Sequence, residues 1–175
     1  MGKEAKFTQY VESFFSELPQ LSAAGNGMSK DYLTQAVLSF LKDETKETAF
    51  DVYEVFFGTF RIALEGEKNP FVDLLDTLRA YEERAATLIE KQRDHFVHSV
   101  NVFILGIGIY SANRHYRDAF FGAVMERGAS PENFEDPREE FLFRWGVAAL
   151  FHDVGYPVEI ISKQIGKFLK FATDA

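Results

Sequence analysis

Apolar residues recur at helical spacing along nearly the whole chain. Phe7, Val11, Phe14 and Leu18 step by four, three and four positions, which is one face of a helix that Pro19 closes. Beyond a small-residue loop at 22–29, Leu33, Val37, Phe40 and Leu41 mark a second helix. Phe50 to Leu64 reads as a third, dense enough in Phe to be buried on more than one side. The stretch EGEKNP, residues 65–70, is the best candidate for a boundary. Phe71, Leu74, Leu78, Tyr81, Ala85 and Leu88 then open a periodic segment that runs on to Tyr110. A single helix of roughly forty residues is uncommon in a globular domain, so a break is expected near Lys91 to His95, where the sequence turns polar. Ala112 to Glu126 reads as helical again. Asp136 is placed to cap a further helix, with Pro137 in its first position and Glu139 completing a capping-box-like pattern; Gly155 and Pro157 end it. A last helix is expected over about 159–172. No run shows the two-residue alternation of a strand. The pattern therefore predicts an all-α fold, with a helical extension over 1–66 and a helical domain over 67–175.

Composition narrows the picture. The 175 residues suit one domain with a small appendage, and 46% hydrophobic content with 19 Phe predicts an aromatic-rich core. A net charge of -8 without a basic stripe argues against binding a nucleic-acid polymer, but not against a small nucleotide whose charge a metal neutralises. Cysteine is absent, so any metal must rest on His, Asp and Glu; this also fits the cytoplasm. The longest apolar run, Val102 to Tyr110, spans nine residues. A membrane span needs roughly 20, so a buried helix is expected there and no membrane partner. The oligomeric state stays open, with homo-oligomerisation possible.

The four histidines are distributed unevenly. Phe141, Trp145, Ala148 and His152 step by four, three and four, and so do His98, Val102, Leu105 and Ile109. Each histidine is thereby expected on a core-facing stripe, with His95 one turn earlier beside His98. Helices burying these stripes against each other would bring His98 and His152 together. Such histidines are usually core residues with a hydrogen-bond partner, but Asp153 adjoins one of them. A buried carboxylate requires a compensating positive charge. Imidazole and carboxylate together suit Zn, Mn, Fe, Co or Ni. His152 and Asp153 point about 100° apart on a regular helix, so both reach one ion only if the helix ends there. His115 lies in a polar stretch and is expected to be exposed.

The stretches HSVNVFILG, from His98, and AALFHDVGYP, from Ala148, resemble the HD-domain superfamily of metal-dependent phosphohydrolases. That family's pattern is a first His at a helix start, then a His-Asp doublet, then a distant Asp. The resemblance covers about residues 70–175. It implies a helical HD-like bundle and a divalent metal cofactor (Mn, Fe, Zn, Co, Ni or Mg) held by His98, His152 and Asp153. The family's last ligand is an Asp on a later helix. After Asp153 only Asp174 remains, so the HD-like domain is expected to be C-terminally incomplete. Many members carry Lys where this chain has Tyr156.

The resemblance further implies hydrolysis of a phosphorylated small molecule, most plausibly a nucleotide, by attack of metal-activated hydroxide on phosphorus. His95 and Arg93 are the catalytic candidates, as proton donor and phosphate clamp, although Asp94 with His98 also reads as a plain i, i+4 helix contact. Tyr156 and Arg144 are the substrate-binding candidates; for Arg144 an ion pair with an acidic neighbour competes. Glu159 is a candidate for the cavity mouth. The rival expectation is a non-catalytic HD-like module for ligand sensing or protein interaction.

Overall fold

The structure, a computed structural model, describes residues 4–21, 30–62, 70–86, 94–127, 134, 136–153 and, near the C-terminus, Ser162, Lys163, Ile165, Gly166 and Lys170. Among these residues there are seven helices and no strand. They are α1 (Glu4–Glu17), α2 (Lys30–Lys42), α3 (Lys46–Thr59), α4 (Pro70–Ala86), α5 (His95–Ala112), α6 (Arg114–Arg127) and α7 (Pro137–Phe151). The five residues described near the C-terminus are helical, and the rest of the expected last helix lies outside the described residues.

Helix ends follow local chemistry. Thr45 and Thr48 form a reciprocal capping box that starts α3 four residues before Phe50. The helix stops at Thr59, well short of Leu64. Arg61 adopts a left-handed φ of 53°, and the Ile62 N–H returns to the Phe57 carbonyl. The expected break before His95 is present, and Asp94 caps α5 by accepting from the Val97 N–H. Asn113 separates α5 from α6 and accepts from the Tyr116 N–H with its side chain. Asp136 caps α7 with Pro137 following it, and its carboxylate accepts from Arg138 N.

Helix α5 is central and packs against α1, α3, α6 and α7. It is also long and apolar enough to cross a membrane, by length and composition alone; here its Val100, Phe103, Ile104 and Ile107 are fully buried in the bundle. Tyr110 near its end stacks on Phe141 at the start of α7, with ring centroids 4.0 Å apart. His98 at its start meets His152 just past the end of α7. The two helices therefore run antiparallel. Phe14 of α1 packs edge-on against Tyr110, and Phe56 of α3 against Phe103. Helices α1 to α3 thus share one apolar core with α5 and α7.

Two glycines set the closest approaches. The indole of Trp145 lies where a Cβ on Gly106 would sit, 2.0 Å from it, and Phe56 takes the same place at Gly146. The Trp145 indole N–H donates to the Phe103 carbonyl across this contact.

The two expected stripes need correction. On α5, Leu105 and Ile109 are 51% and 43% exposed, and on α7 Ala148 is exposed. Both seams are rotated from the expected faces. Phe141 of the expected stripe is buried, but the buried arc of α7 continues through Leu142, Gly146, Ala149 and Leu150, because α3 and α5 grip the helix from two sides. That of α5 is Phe96, Val100, Phe103, Ile104 and Ile107. Leu105 and Ile109 instead face a shallow groove of about 250 Å³ with Phe7 and Tyr10 of α1.

Candidate metal centre

The end of the bundle where α5 begins and α7 finishes gathers three histidines around one carboxylate. His95 Nδ1, His152 Nε2 and His98 Nε2 lie 3.4, 3.5 and 3.9 Å from Asp153 Oδ2. The His98 and His152 rings meet edge to face, with centroids 5.4 Å apart. His98, His152 and Asp153 each offer one donor atom, and the three atoms lie within 4.8 Å of one another. His95 falls outside that group.

The rotation of the seams decides the layout. Asp153 lies seven residues beyond Gly146, so it, rather than His152, prolongs the buried arc of α7. His95 is likewise the histidine on the buried side of α5. Side-chain exposure rises from 11% for His95 and 16% for Asp153 to 23% for His98 and 37% for His152. The inner pair is His95 with Asp153; the outer pair, on the solvent side, is His98 with His152. Convergence of the adjacent His152 and Asp153 happens as the chain leaves the helix: α7 ends at Phe151 and both residues lie in the turn after it.

This terminal turn is held from two sides. The Tyr53 hydroxyl of α3 donates to the buried Leu150 carbonyl at 2.9 Å, and the Phe57 ring packs edge-on against Phe151. The start of α5 is held by Asp94, which caps the helix and pairs with Lys46 at 3.3 Å. Lys46 and Tyr53 thus belong to the surroundings of the site, yet neither was a sequence candidate. Only the Thr45–Thr48 capping pattern could have shown that α3 begins early enough to reach α5.

The donor chemistry fits a cation. His152 Nδ1 lies 2.7 Å from the Ala149 carbonyl. A carbonyl only accepts, so Nδ1 carries a proton, and whenever the ring is neutral Nε2 presents its lone pair. That lone pair then faces the Asp153 carboxylate at 3.5 Å. Two acceptors so close repel unless positive charge lies between them. A tetrahedral ion with bonds of about 2.0–2.1 Å separates its donors by about 3.3 Å, near the 3.5 Å from His152 to Asp153 and shorter than the 3.9 Å from His98.

Other candidates lie elsewhere. Arg144 donates from Nε to Glu140 at 2.7 Å, one turn back on α7. His115 is exposed on α6. Arg93, Tyr156, Glu159 and Asp174 lie outside the described residues.

The resolved pKa shifts fall at the opposite end of α7. Burial pushes the Asp136 carboxyl up, but hydrogen bonds from the Arg138 side chain and backbone and from the Glu139 backbone outweigh it, holding the group below its ordinary value. Burial, followed by the nearby Asp136 charge, pushes the Tyr110 phenol up.

No known protein family, curated protein or solved structure matches this chain.

Proposed function

We propose that the chain is a metal-dependent phosphohydrolase of HD type, acting in the cytoplasm on a phosphorylated small molecule of the nucleotide class. The observation that carries the reading is the convergence of two imidazole nitrogens and one carboxylate oxygen at the solvent-facing end of α5 and α7. Among the described residues the site has three protein donors, the number that catalytic ions take, whereas structural ions are closed by four. A divalent cation held there supplies charge for a phosphoryl oxygen and acidifies water for attack on phosphorus. The chain's own part is orientation. His152 is fixed by Ala149 and His98 by the capped first turn of α5, while the turn after α7 carries Asp153 to them. The more exposed edges of His98 and His152 leave the approach to the site on their side.

The rival, a module without catalysis, has one observation in its favour. A doubly protonated His152 would pair with Asp153 at the same 3.5 Å without any metal. Metal analysis separates the two. The proposal expects one transition-metal ion per chain, loss of that ion in His152→Ala, and metal-dependent release of phosphate from a panel of nucleotides. Purified chain that stays metal-free after incubation with Mn, Fe, Co, Ni and Zn would leave only the ion-paired module.

A further inference from the structure

The fourth group at this site, His95, has a different job from the other histidines. It is the most enclosed of the three around Asp153, and its Nδ1 faces the same carboxylate oxygen that His98 and His152 approach from the outer side. His95 is not one of the three residues whose donor atoms lie within 4.8 Å of one another. We infer that His95 is a positioning residue: its Nδ1–H donates to Asp153 Oδ2 and aims the carboxylate at the cation that His98 and His152 share. The inference rests on the metal-centre reading above.

Three features support it. A carboxylate only accepts, so a hydrogen bond here takes the tautomer with the proton on Nδ1. The contact, at 3.4 Å, is a long hydrogen bond, but it joins residues 58 positions apart, one at the start of α5 and one in the turn after α7. Asp153 stands two residues past the last residue of α7, in a turn, so the regular helix does not set the direction of its side chain. A hydrogen bond to a metal-binding carboxylate is worth about 10- to 100-fold in metal affinity. The depth of His95 places its ring behind the carboxylate, so a direct role on substrate is not required of it.

The atom used makes the test specific. Asparagine places an amide N–H near the position of imidazole Nδ1, whereas glutamine places it near Nε2. The experiment titrates Mn²⁺ into the full chain and into His95→Asn, His95→Gln and His95→Ala, by calorimetry or by the resonance of free Mn²⁺. Wild type should bind one ion. Ala and Gln should weaken apparent affinity about 10- to 100-fold, while Asn should stay within roughly threefold of wild type. Metal-free unfolding midpoints identify variants that fail to fold; if Ala does, the Asn and Gln pair decides alone. Asn binding as weakly as Gln, or Gln and Ala binding as tightly as wild type, would overturn the inference while leaving the metal centre intact. Wild type that binds no ion would overturn both.

Discussion

The Tyr53 hydroxyl donates to the Leu150 carbonyl at 2.9 Å, across 97 residues of chain and inside the core. Leu150 is in the last turn of α7, where carbonyls have no intrahelical partner. One phenol from α3 therefore closes the helix end that carries His152 and Asp153. Tyr53→Phe keeps the ring packing on Phe96 and Phe57 and deletes only this donor. Leaving a buried carbonyl unpaired costs about 1–3 kcal/mol. Urea unfolding of Tyr53→Phe should show a loss in that range, together with weaker Mn²⁺ binding. Unchanged stability would mean that the carbonyl finds another partner and that α3 does not hold the site.

Much of this was legible in the chain, and the exceptions have physical causes. The stripe of α1, the cap of α7 and the break before His95 rest on local rules, and the local rules held. Phe14 and Leu18 are buried, Asp136 caps, and Asp94 starts α5. The expected stripes of His98 and His152 held only in part, with Phe141 buried but Leu105, Ile109 and Ala148 exposed, because helical spacing fixes which residues share a face but not which face is buried. Two neighbours, α3 and α5, set that for α7, and nothing local encodes them. The two histidines still meet, because each sits at a helix end where an antiparallel pair brings its termini together.

Gly106 tests that antiparallel contact. A methyl group there would sit 2.0 Å from the Trp145 indole, which is itself tied to the Phe103 carbonyl. Alanine improves helix propensity by about 1 kcal/mol, but overpacking of this kind costs typically 1–3 kcal/mol. Gly106→Ala should lower the thermal midpoint and shift the emission of Trp145, the chain's one tryptophan. Gly122→Ala is the control, since nothing lies within 4 Å of a Cβ at that position on α6; it should be neutral or stabilising. A stabilised Gly106→Ala would show that α5 and α7 do not approach so closely.

Asp136 gives the pH dependence. Its folded-state value lies below its ordinary one, so the folded state binds its proton more weakly than the unfolded chain. The stability it contributes is therefore complete above about pH 4 and is lost as pH falls through the lowered value. The carboxylate caps α7 and pairs with Arg138, which also reaches Glu17 of α1 at 3.8 Å. Asp136→Ala should cost about 1 kcal/mol at pH 7, and the gap to wild type should narrow below about pH 4. A gap of the same size at pH 3 and pH 7 would show that the charge contributes nothing beyond the geometry of the cap.

A cation bound only by the folded chain must also raise its stability. For a single site the gain is RT ln(1 + [L]/Kd), about 2.7 kcal/mol at a metal concentration one hundred times Kd. Thermal unfolding of wild type should therefore shift upward with added Mn²⁺ and return when a chelator is added. His98→Ala and His152→Ala each remove one of three donors and should abolish the shift, while His115→Ala, on the exposed face of α6, should retain it. The two ligand variants should also unfold near the metal-free wild type, because both rings are partly exposed and sit at helix ends rather than within the packed seams. A shift of full size in His152→Ala would move the ion elsewhere on the molecule and remove the basis for hydrolytic chemistry at this end of the bundle.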